Sequence, residues 1–296
     1  MNLPLRALLA MQRESWEQGV ASQAVLDLAN IELARLLAEA AVVRQAADGR
    51  LGGDDNNAVN GASCGEAVLR CGFTEAAERQ LHWLRYGAPR ADDGTLFHVL
   101  DRREVWADTV YMVVPFLALT GHLDEAVRQV EGHQAALCSA GGLYSAIAPG
   151  RPAHWGGGNG WVVAGIARAI RHAPSLRDSS LPEHAREVLD ACLALRREDG
   201  LFHDVLDDPG SFRESNAAQM FAYAALTGAR DGWLPPSYAD TGRDLLAAAI
   251  REIDEFGLVR NACGSPRFDR PGTSAEAQAF HLLATAAASR QTEPSG

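Results

Sequence analysis

Two acidic stretches of the 296-residue chain have side chains suited to acid–base chemistry. In the stretch WADTVYMVVPFLALTG, Asp108 stands two residues after Trp106, where an apolar segment begins. A helix N-terminus would lower the pKa of that carboxyl group, whereas enclosure beside tryptophan would raise it. A carboxyl group under these opposed influences can donate and recover a proton near neutral pH. We therefore predict that Asp108 is a catalytic acid and base, and the alternative is a simple N-cap or first-turn charge.

The second acidic stretch, GGDDNNAVNGAS, places Asp54 and Asp55 among asparagines and glycines, which predicts a loop that leads into a helix. Paired carboxyl groups across a cleft, with aromatic side chains around them, are the usual apparatus for cleaving sugars. Two acids in one polar loop are also commonly solvated turn residues, so both interpretations stay open. The stretch lacks the spacing of an EF-hand calcium loop.

The stretch HWGGGNGW, residues 154–161, combines four glycines with two tryptophans. Glycine lets a ligand approach the backbone closely, and tryptophan offers a flat apolar face with one N–H donor. Because no predicted strand precedes this stretch, it does not match a dinucleotide-binding loop. The chain has no HExxH, P-loop or GxSxG motif, and its histidines show no metal-ligand spacing. We therefore expect neither a catalytic metal nor a cofactor.

A repeated phrase indicates which elements position these residues. The sequences DGRLGG, DGTLFHVLD, GGLYSAI, DGLFHDVLD and FGLVRNA are alike, and the first glycines of their G-x-L or G-L units stand 45, 48, 58 and 57 residues apart. Each phrase follows a charged helical stretch and precedes a polar or glycine-bearing loop. A recurrence of this kind predicts an architecture of repeated helical hairpins.

Six other stretches, more apolar than the charged ones, supply the second helix of each predicted hairpin. They contain the sequences SWEQGVASQAVLDLA, SCGEAVLRCG, WADTVYMVVPFLALTG, GNGWVVAGIARAI, ESNAAQMFAYAALTG and SAEAQAFHLLATAA. A helix that is apolar all round is buried on every side, whereas the charged partner helices suit an outer layer. We predict an all-α fold in which six hairpins close into an (α/α)6 barrel. An open helical solenoid is the alternative, but the long, aromatic and unequal loops favour the barrel.

Closure of such a barrel would bring the loops before its six inner helices to one mouth. Polar residues at the starts of buried helices can be simple caps, but tryptophans in three of the six loops favour a cleft. The candidate mouth positions are 16–17, 54–60, 106–108, 155–161, 213–216 and 274–276.

Three motifs resemble those of the unsaturated glucuronyl and rhamnogalacturonyl hydrolases, glycoside hydrolase families 88 and 105. The family pattern W-A-D-x-L-F-M-x-x-P-x-L-A is similar to WADTVYMVVPFLALTG, and W-A-R-G-N-G-W is similar to WGGGNGW. The pattern E-T-S-x-S-A-M-F-A-Y-A-L is similar to RESNAAQMFAYAALTG. The resemblance extends from Trp16 to about Leu283, and it implies the same (α/α)6 barrel.

The resemblance also implies a reaction. These enzymes hydrate the C4=C5 double bond of an unsaturated uronic acid, and an aspartate protonates the enol ether and activates the water. The resulting hemiketal opens and releases the neighbouring sugar. The matching positions imply that Asp108 is this aspartate, and that Asp55, one residue before the aligned position Asn56, assists it.

The remaining candidate residues would bind a small carbohydrate or glycoside substrate. We predict that the tryptophans form stacking walls and that Asn159 donates hydrogen bonds to sugar hydroxyls. The predicted substrate-binding residues are Trp16, Glu17, Trp106, His154, Trp155, Asn159, Trp161, Arg213, Glu214 and Glu276.

One departure from the family pattern concerns the carboxylate of the substrate. Gly157 stands where the pattern has arginine, which is a natural bidentate partner for a carboxylate. Either Arg213 or His154 compensates, or the substrate is not a standard uronate. Two alternatives therefore stay open: proton-transfer chemistry on a non-uronate molecule (isomerase, lyase or ordinary glycosidase), and a non-catalytic sugar-binding barrel. The last motif also departs from the family's G-T-G-x-F-L-L-A and introduces Glu276 as an extra acid.

Composition bounds the other classes of function. The chain is 47% hydrophobic and carries a net charge of −11 with no long basic run, which argues against a nucleic-acid partner. Its five cysteines match neither a zinc site nor a disulfide framework, and no apolar run approaches the roughly 20 residues that span a bilayer. The first residues lack a signal-peptide pattern. We expect a cytoplasmic monomer or homodimer without a membrane partner, with one catalytic domain over 1–290 and a flexible tail over 291–296.

Overall fold

The computed structural model describes residues 2–291, and within that range twelve α-helices and three two-stranded sheets form. Six inner segments make a ring. They are α2 (Ser15–Asp27), a 3-10 turn (Asn60–Cys64) continued by α4 (Gly65–Arg70), α6 (Thr109–Leu119), α8 (Gly156–His172), α10 (Asn216–Arg230) and α12 (Ala275–Arg290). Each segment packs against the next, and α12 packs against α2, so the ring is closed. The predicted (α/α)6 barrel is confirmed, and the open solenoid was the wrong alternative.

Six outer helices cover the ring. They are α1 (Leu3–Met11), α3 (Ile31–Val43), α5 (Thr74–His82), α7 (Leu123–Leu137), α9 (Leu181–Leu193) and α11 (Tyr238–Ile250). In α7 the residues Ala126, Val130, His133 and Leu137 are buried at three- and four-residue spacing, as in an amphipathic helix. In contrast, α10 is buried at every position from 216 to 228. The inner and outer layers therefore differ in the way that their hydrophobic patterns predict.

The repeated phrase forms the turn after an outer helix. Its five glycines have φ between 81° and 105°, a region that glycine enters without a Cβ clash. They are Gly49, Gly94, Gly142, Gly200 and Gly257. Asp93 accepts a hydrogen bond from the Thr95 N–H (2.9 Å), and Asp199 accepts one from the Leu201 N–H (3.1 Å). These local aspartate turns send the chain from an outer helix back toward the mouth.

Three short antiparallel pairs lie in the loops at the mouth. β1 (Val105–Trp106) pairs with β2 (Ile147–Ala148), β3 (Phe202–His203) with β4 (Arg213–Glu214), and β5 (Ala262–Gly264) with β6 (Arg267–Gly272). The first pair places Trp106 opposite Ile147. Because β1 ends two residues before Asp108, this pairing fixes the backbone that carries the predicted acid.

The predicted division of the chain into a domain over 1–290 and a tail over 291–296 stays a prediction. Residues 292–296 of that tail lie outside the described residues. In the part of the chain that the structure describes, no helix combines the length and the apolar character needed to cross a membrane.

Candidate active site

A cavity of about 390 Å³ opens at the end of the barrel where the inner helices begin. Its volume falls in the range of roughly 300–1,000 Å³ that is common for ligand pockets. Aromatic rings and two carboxyl groups dominate its walls. The lining residues are Trp16, Asn57, Asn60, His98, Trp106, Asp108, Met112, Ala146, Ile147, Arg151, Trp155, Trp161, Phe268 and Glu276.

Asp108 lies at the position before α6 and faces this cavity. Its backbone carbonyl accepts the Met112 N–H at 3.2 Å, but its side chain makes no capping hydrogen bond. Burial raises the pKa of the Asp108 carboxyl group from 3.8 to about 7, against a smaller lowering by its own backbone N–H. A carboxyl group near half-protonation at neutral pH has the property that a general acid and base needs. The side chain therefore does not act as the N-cap that its position suggested.

Glu276, in the first turn of α12, is the second carboxyl group in the cavity. Its side chain is almost fully buried and accepts a hydrogen bond from the Trp16 indole N–H at 3.3 Å. Burial, followed by the negative charge of Asp108, holds the pKa of Glu276 well above its usual range. No arginine of the described chain forms a salt bridge with it. Burial and the neighbouring acid therefore both disfavour the ionised form of Glu276.

Neighbouring side chains hold the tryptophan walls in place. The Trp106 ring stacks on His98, with centroids 4.4 Å apart and planes 1° from parallel, and its indole N–H donates to Glu104 at 2.9 Å. Burial lowers the pKa of His98 to about 3, so this histidine is a neutral platform. The Trp155 indole N–H donates to Asp204 at 3.0 Å. The walls are therefore fixed surfaces on which a sugar ring can stack.

The structure places Asp55 outside the cavity, contrary to its predicted role as the second catalytic acid. Its exposed carboxylate accepts the Asn57 N–H at 3.0 Å and lies 3.8 Å from the Arg50 guanidinium. The same loop contributes Asn57 and Asn60 to the cavity wall instead. The carboxyl group that shares the cavity with Asp108 is Glu276, which the sequence analysis had grouped with the substrate-binding residues.

Two predicted binding residues, Glu17 and Glu214, use their carboxylates to cap inner helices. Glu17 accepts the Arg13 N–H at 2.7 Å and belongs to a capping box at the start of α2. Glu214 accepts the Ala217 N–H at 2.7 Å at the start of α10, and burial raises its pKa to about 7. Neither residue lines the cavity. Their contacts support a role in holding the helices that form the mouth.

Three further predicted binding residues also lie outside the cavity wall and have partners within the protein. The Asn159 amide exchanges hydrogen bonds of 2.8 and 3.0 Å with the backbone of Tyr144, in the loop before α8. The imidazole of His154 pairs with Asp207 at 2.7 Å. Arg213 has its partner in Glu252, at 2.8 Å. A sugar-binding role for these three residues stays a prediction without support from their contacts.

Sequence reasoning missed several residues of the wall. Asn57 and Asn60 lie inside the candidate segment 54–60, but no motif in the sequence marks His98 as a wall residue. Arg151 follows β2, and Phe268 lies on β6 with its ring edge toward Trp155. No motif or periodicity marks these two loop positions, and only the folded ring brings them to the cavity.

The arrangement offers a proton donor of raised pKa, a second buried carboxyl group and aromatic walls. Within residues 2–291, no group of three His, Cys, Asp or Glu side chains is placed to hold a metal ion. The absence of a catalytic metal and of a cofactor stays a prediction.

Sequence comparison places the chain among glycoside hydrolases. The family model described as Glycosyl Hydrolase Family 88 matches residues 7–280. The unsaturated rhamnogalacturonyl hydrolase YesR of Bacillus subtilis is 28% identical over 235 residues, which cover 68% of this chain. The matched region spans 65% of the length of YesR, slightly less than two thirds.

Solved structures share the fold. A protein from Salmonella enterica, described as a possible member of family GH105, superposes with a TM-score of 0.79 at 21% identity and covers 94% of this chain and 83% of its own. The unsaturated glucuronyl hydrolase of Bacillus sp. GL1 superposes with a TM-score of 0.69 at 16% identity and covers 91% and 85%. At these identities the likeness concerns the fold alone.

Proposed function

The chain belongs to glycosyl hydrolase family 88, and on that premise we propose that it hydrates the C4=C5 double bond of an unsaturated uronyl oligosaccharide. The observation that carries the proposal is Asp108, a carboxyl group of raised pKa in a cavity walled by tryptophans. The names of two similar proteins, an unsaturated rhamnogalacturonyl hydrolase and an unsaturated glucuronyl hydrolase, support this substrate class.

Asp108 supplies both proton transfers of the proposed reaction. The protonated carboxyl group donates its proton to C4, water adds its oxygen to C5, and the carboxylate takes the proton that the water releases. The hemiketal at C5 then opens by cleavage of the ring C5–O bond, which leaves a ketone at C5 and a hydroxyl group at C1. Collapse of that hemiacetal at C1 releases the neighbouring sugar. Asp108 ends in the protonation state in which it began.

Glu276 is the second acidic residue of the proposed site. Two carboxyl groups that share a desolvated cavity do not readily ionise together, so Glu276 stays neutral while Asp108 cycles through its carboxylate form. A neutral carboxyl group can donate a hydrogen bond to the attacking water or to a sugar hydroxyl. The Trp16 indole N–H binds one of its oxygens and holds the side chain in the cavity wall.

A second candidate function has one observation in its favour. Gly157 leaves the cavity without the arginine of the family motif, which is compatible with proton-transfer chemistry on a substrate that has no carboxylate. Turnover of a saturated or non-uronate glycoside, with none of an unsaturated uronide, would establish this alternative. Binding of glycans without any turnover would instead favour a non-catalytic sugar-binding barrel.

The experiment follows the absorbance of the conjugated double bond of an unsaturated uronyl disaccharide. Asp108→Asn keeps the shape of the side chain but cannot donate the proton, so we expect kcat to fall by roughly 10²–10⁴-fold. Asp55→Asn tests the rival acid, and Asp54→Asn in the same exposed loop is the matched control; both should retain kcat within about threefold. Equal rates for wild type and Asp108→Asn would remove Asp108 from the mechanism, and a loss confined to Asp55→Asn would restore Asp55.

A further inference from the structure

Gly157 offers no cation to the cavity, and the Trp155 indole occupies the space beside it. A Cβ atom built on Gly157 would lie 2.6 Å from Cζ2 of that indole, well inside van der Waals contact. The indole is held by its hydrogen bond to Asp204, so a larger residue at position 157 would require this ring to shift. If the site binds a carboxylate, the cation has to come from another residue.

The two residues first expected to compensate are already engaged. His154 pairs with Asp207, and Arg213 pairs with Glu252 and lies 3.7 Å from Asp199. Neither residue is part of the cavity wall.

Arg151 is the one arginine of the cavity wall, among the residues that the structure describes. None of the hydrogen bonds or ion pairs of the described chain engages its guanidinium group. Its charge reaches the carboxylate of Asp204, which holds the Trp155 indole, so the guanidinium lies near the Trp155 wall. The two wall acids, Asp108 and Glu276, and this unpaired cation therefore share one cavity.

The backbone ties Arg151 to the strand that carries the acid. The Arg151 N–H donates to the Ile147 carbonyl at 3.0 Å, and the Ile147 N–H donates to the Arg151 carbonyl at 3.2 Å. Ile147 is the partner of Trp106 in the β1–β2 pairing, and Trp106 stands two residues before Asp108. The backbone of Arg151 is therefore tied through one short hairpin to the strand that leads to Asp108, while its exposed side chain is free to reach a ligand.

The chemistry of the proposed substrate favours a cation in this cavity. A uronyl carboxylate is attached to C5, the carbon that receives water, so it must enter the same cavity as Asp108. An unpaired anion in a desolvated site that already holds two acids is strongly disfavoured. A guanidinium group offers two parallel N–H donors to a carboxylate and keeps its charge at all relevant pH values.

We propose that Arg151 binds the carboxylate of the substrate and makes the site specific for uronyl sugars. This inference rests on the proposed function for the identity of the substrate, but it concerns a separate residue and a separate step. It assigns to the loop after β2 a role that Gly157 on α8 cannot perform, because glycine has no side chain.

The test is a cycle of two enzymes and two substrates. Wild type and Arg151→Gln are assayed on an unsaturated glucuronyl disaccharide and on its methyl ester, which has the same double bond but no negative charge. We expect wild type to prefer the free acid by about 10- to 100-fold in kcat/KM, as for a charge-assisted hydrogen bond. Arg151→Gln should lose that preference through a higher KM, with kcat changed by less than about threefold, and Arg151→Lys should retain part of it.

Two further variants test whether the effect is specific to Arg151. Arg213→Gln tests the rival cation, and Arg103→Gln, at an exposed arginine outside the wall, is the matched control. Both should keep the preference for the free acid. The proposal is overturned if Arg151→Gln prefers the acid as strongly as wild type does, or if the preference disappears in Arg213→Gln.

A binding measurement separates this proposal from the proposed function. Titration calorimetry with the saturated methyl glucuronoside and with methyl glucoside needs no turnover. Tighter binding of the glucuronoside to wild type, reduced at least tenfold in Arg151→Gln, supports Arg151 even if no unsaturated substrate reacts. Equal binding by both proteins, or no preference of wild type for the glucuronoside, overturns it even if the hydration activity is found.

Discussion

The two ends of the barrel both bury carboxyl groups but treat them in opposite ways. At the closed end, where the inner helices finish, Asp27 contacts Arg171 at 2.7 Å and Arg168 and Arg290 at 3.3 and 3.2 Å. Glu66 contacts Arg168 at 2.7 Å. Burial alone would raise the pKa of both acids, but the arginines, together with His172 at Glu66, outweigh it and hold each pKa below its usual range.

At the open end the same burial acts without paired cations. The carboxyl groups of Asp108 and Glu276 make no salt bridge with any described arginine, and burial raises the pKa of both. The comparison shows that depth alone does not distinguish a structural acid from a reactive one. At these two ends the distinction lies in the cation: Asp27 and Glu66 are paired, ionise readily and hold helices together, whereas the unpaired acids of the cavity retain a proton that they can transfer.

The largest expected effect is a loss of stability when the ion-pair network of Asp27 and Glu66 is disrupted. Arg168→Ala removes the guanidinium group that contacts both Asp27 and Glu66, so each of these buried carboxylates loses one of its cationic partners. We expect the free energy of unfolding to fall by about 3–5 kcal/mol, measured by urea denaturation at pH 7. Arg243→Ala, which removes an exposed pair with Asp240, is the control and should cost less than about 1 kcal/mol. Similar losses in the two variants would show that the buried network is not the structural element described here.

A smaller effect, a gain in stability, is expected when the unpaired acid Asp108 at the open end is replaced. Asp108 has a higher pKa when folded than when unfolded, so the folded state binds more protons between pH 4 and 7 and stability falls as pH rises through that range. Asp108→Asn removes this dependence. We expect it to be more stable than wild type by ~1–3 kcal/mol at pH 8, with the gain vanishing near pH 4. Asp54→Asn, at an exposed acid, should show no such pH dependence, and a gain independent of pH for Asp108→Asn would contradict the account.

The smallest effect concerns Glu276. Because Asp108 must be protonated to donate, kcat/KM of wild type should fall tenfold per pH unit above about 7. Glu276→Gln removes the O–H donor of the carboxyl group but changes no charge if Glu276 is neutral. We therefore expect kcat to fall about tenfold, while the pH at which kcat/KM begins to fall moves by less than about 0.5 unit. A downward shift of the limb by a full unit would mean that Glu276 is ionised beside Asp108, because removal of a like charge lowers the pKa of its neighbour.

The fold and about half of the site follow from local sequence patterns. Apolar inner helices, charged outer helices and the recurring glycine turn define the barrel, and Trp106 and Asp108 stand at a helix start that the pattern marks. Glu276 contacts Trp16 although 260 residues separate them, since only the closed ring brings α12 to α2. The structure places Asp55 outside the cavity wall, where its carboxylate accepts the Asn57 N–H, and the motif gave no sign of this local hydrogen bond; its catalytic role stays a prediction. Arg151 lies in a hairpin turn that no repeat specifies.

The most direct test of the central claim is the titration of the Asp108 carboxyl group itself. Infrared difference spectra of wild type minus Asp108→Asn, recorded from pH 4 to 9, isolate the C=O stretch of the protonated acid. We predict that this band is present at pH 5 and disappears with a midpoint near 7, because burial without a paired cation raises the pKa of Asp108. A carboxyl group already ionised at pH 5 would contradict the account.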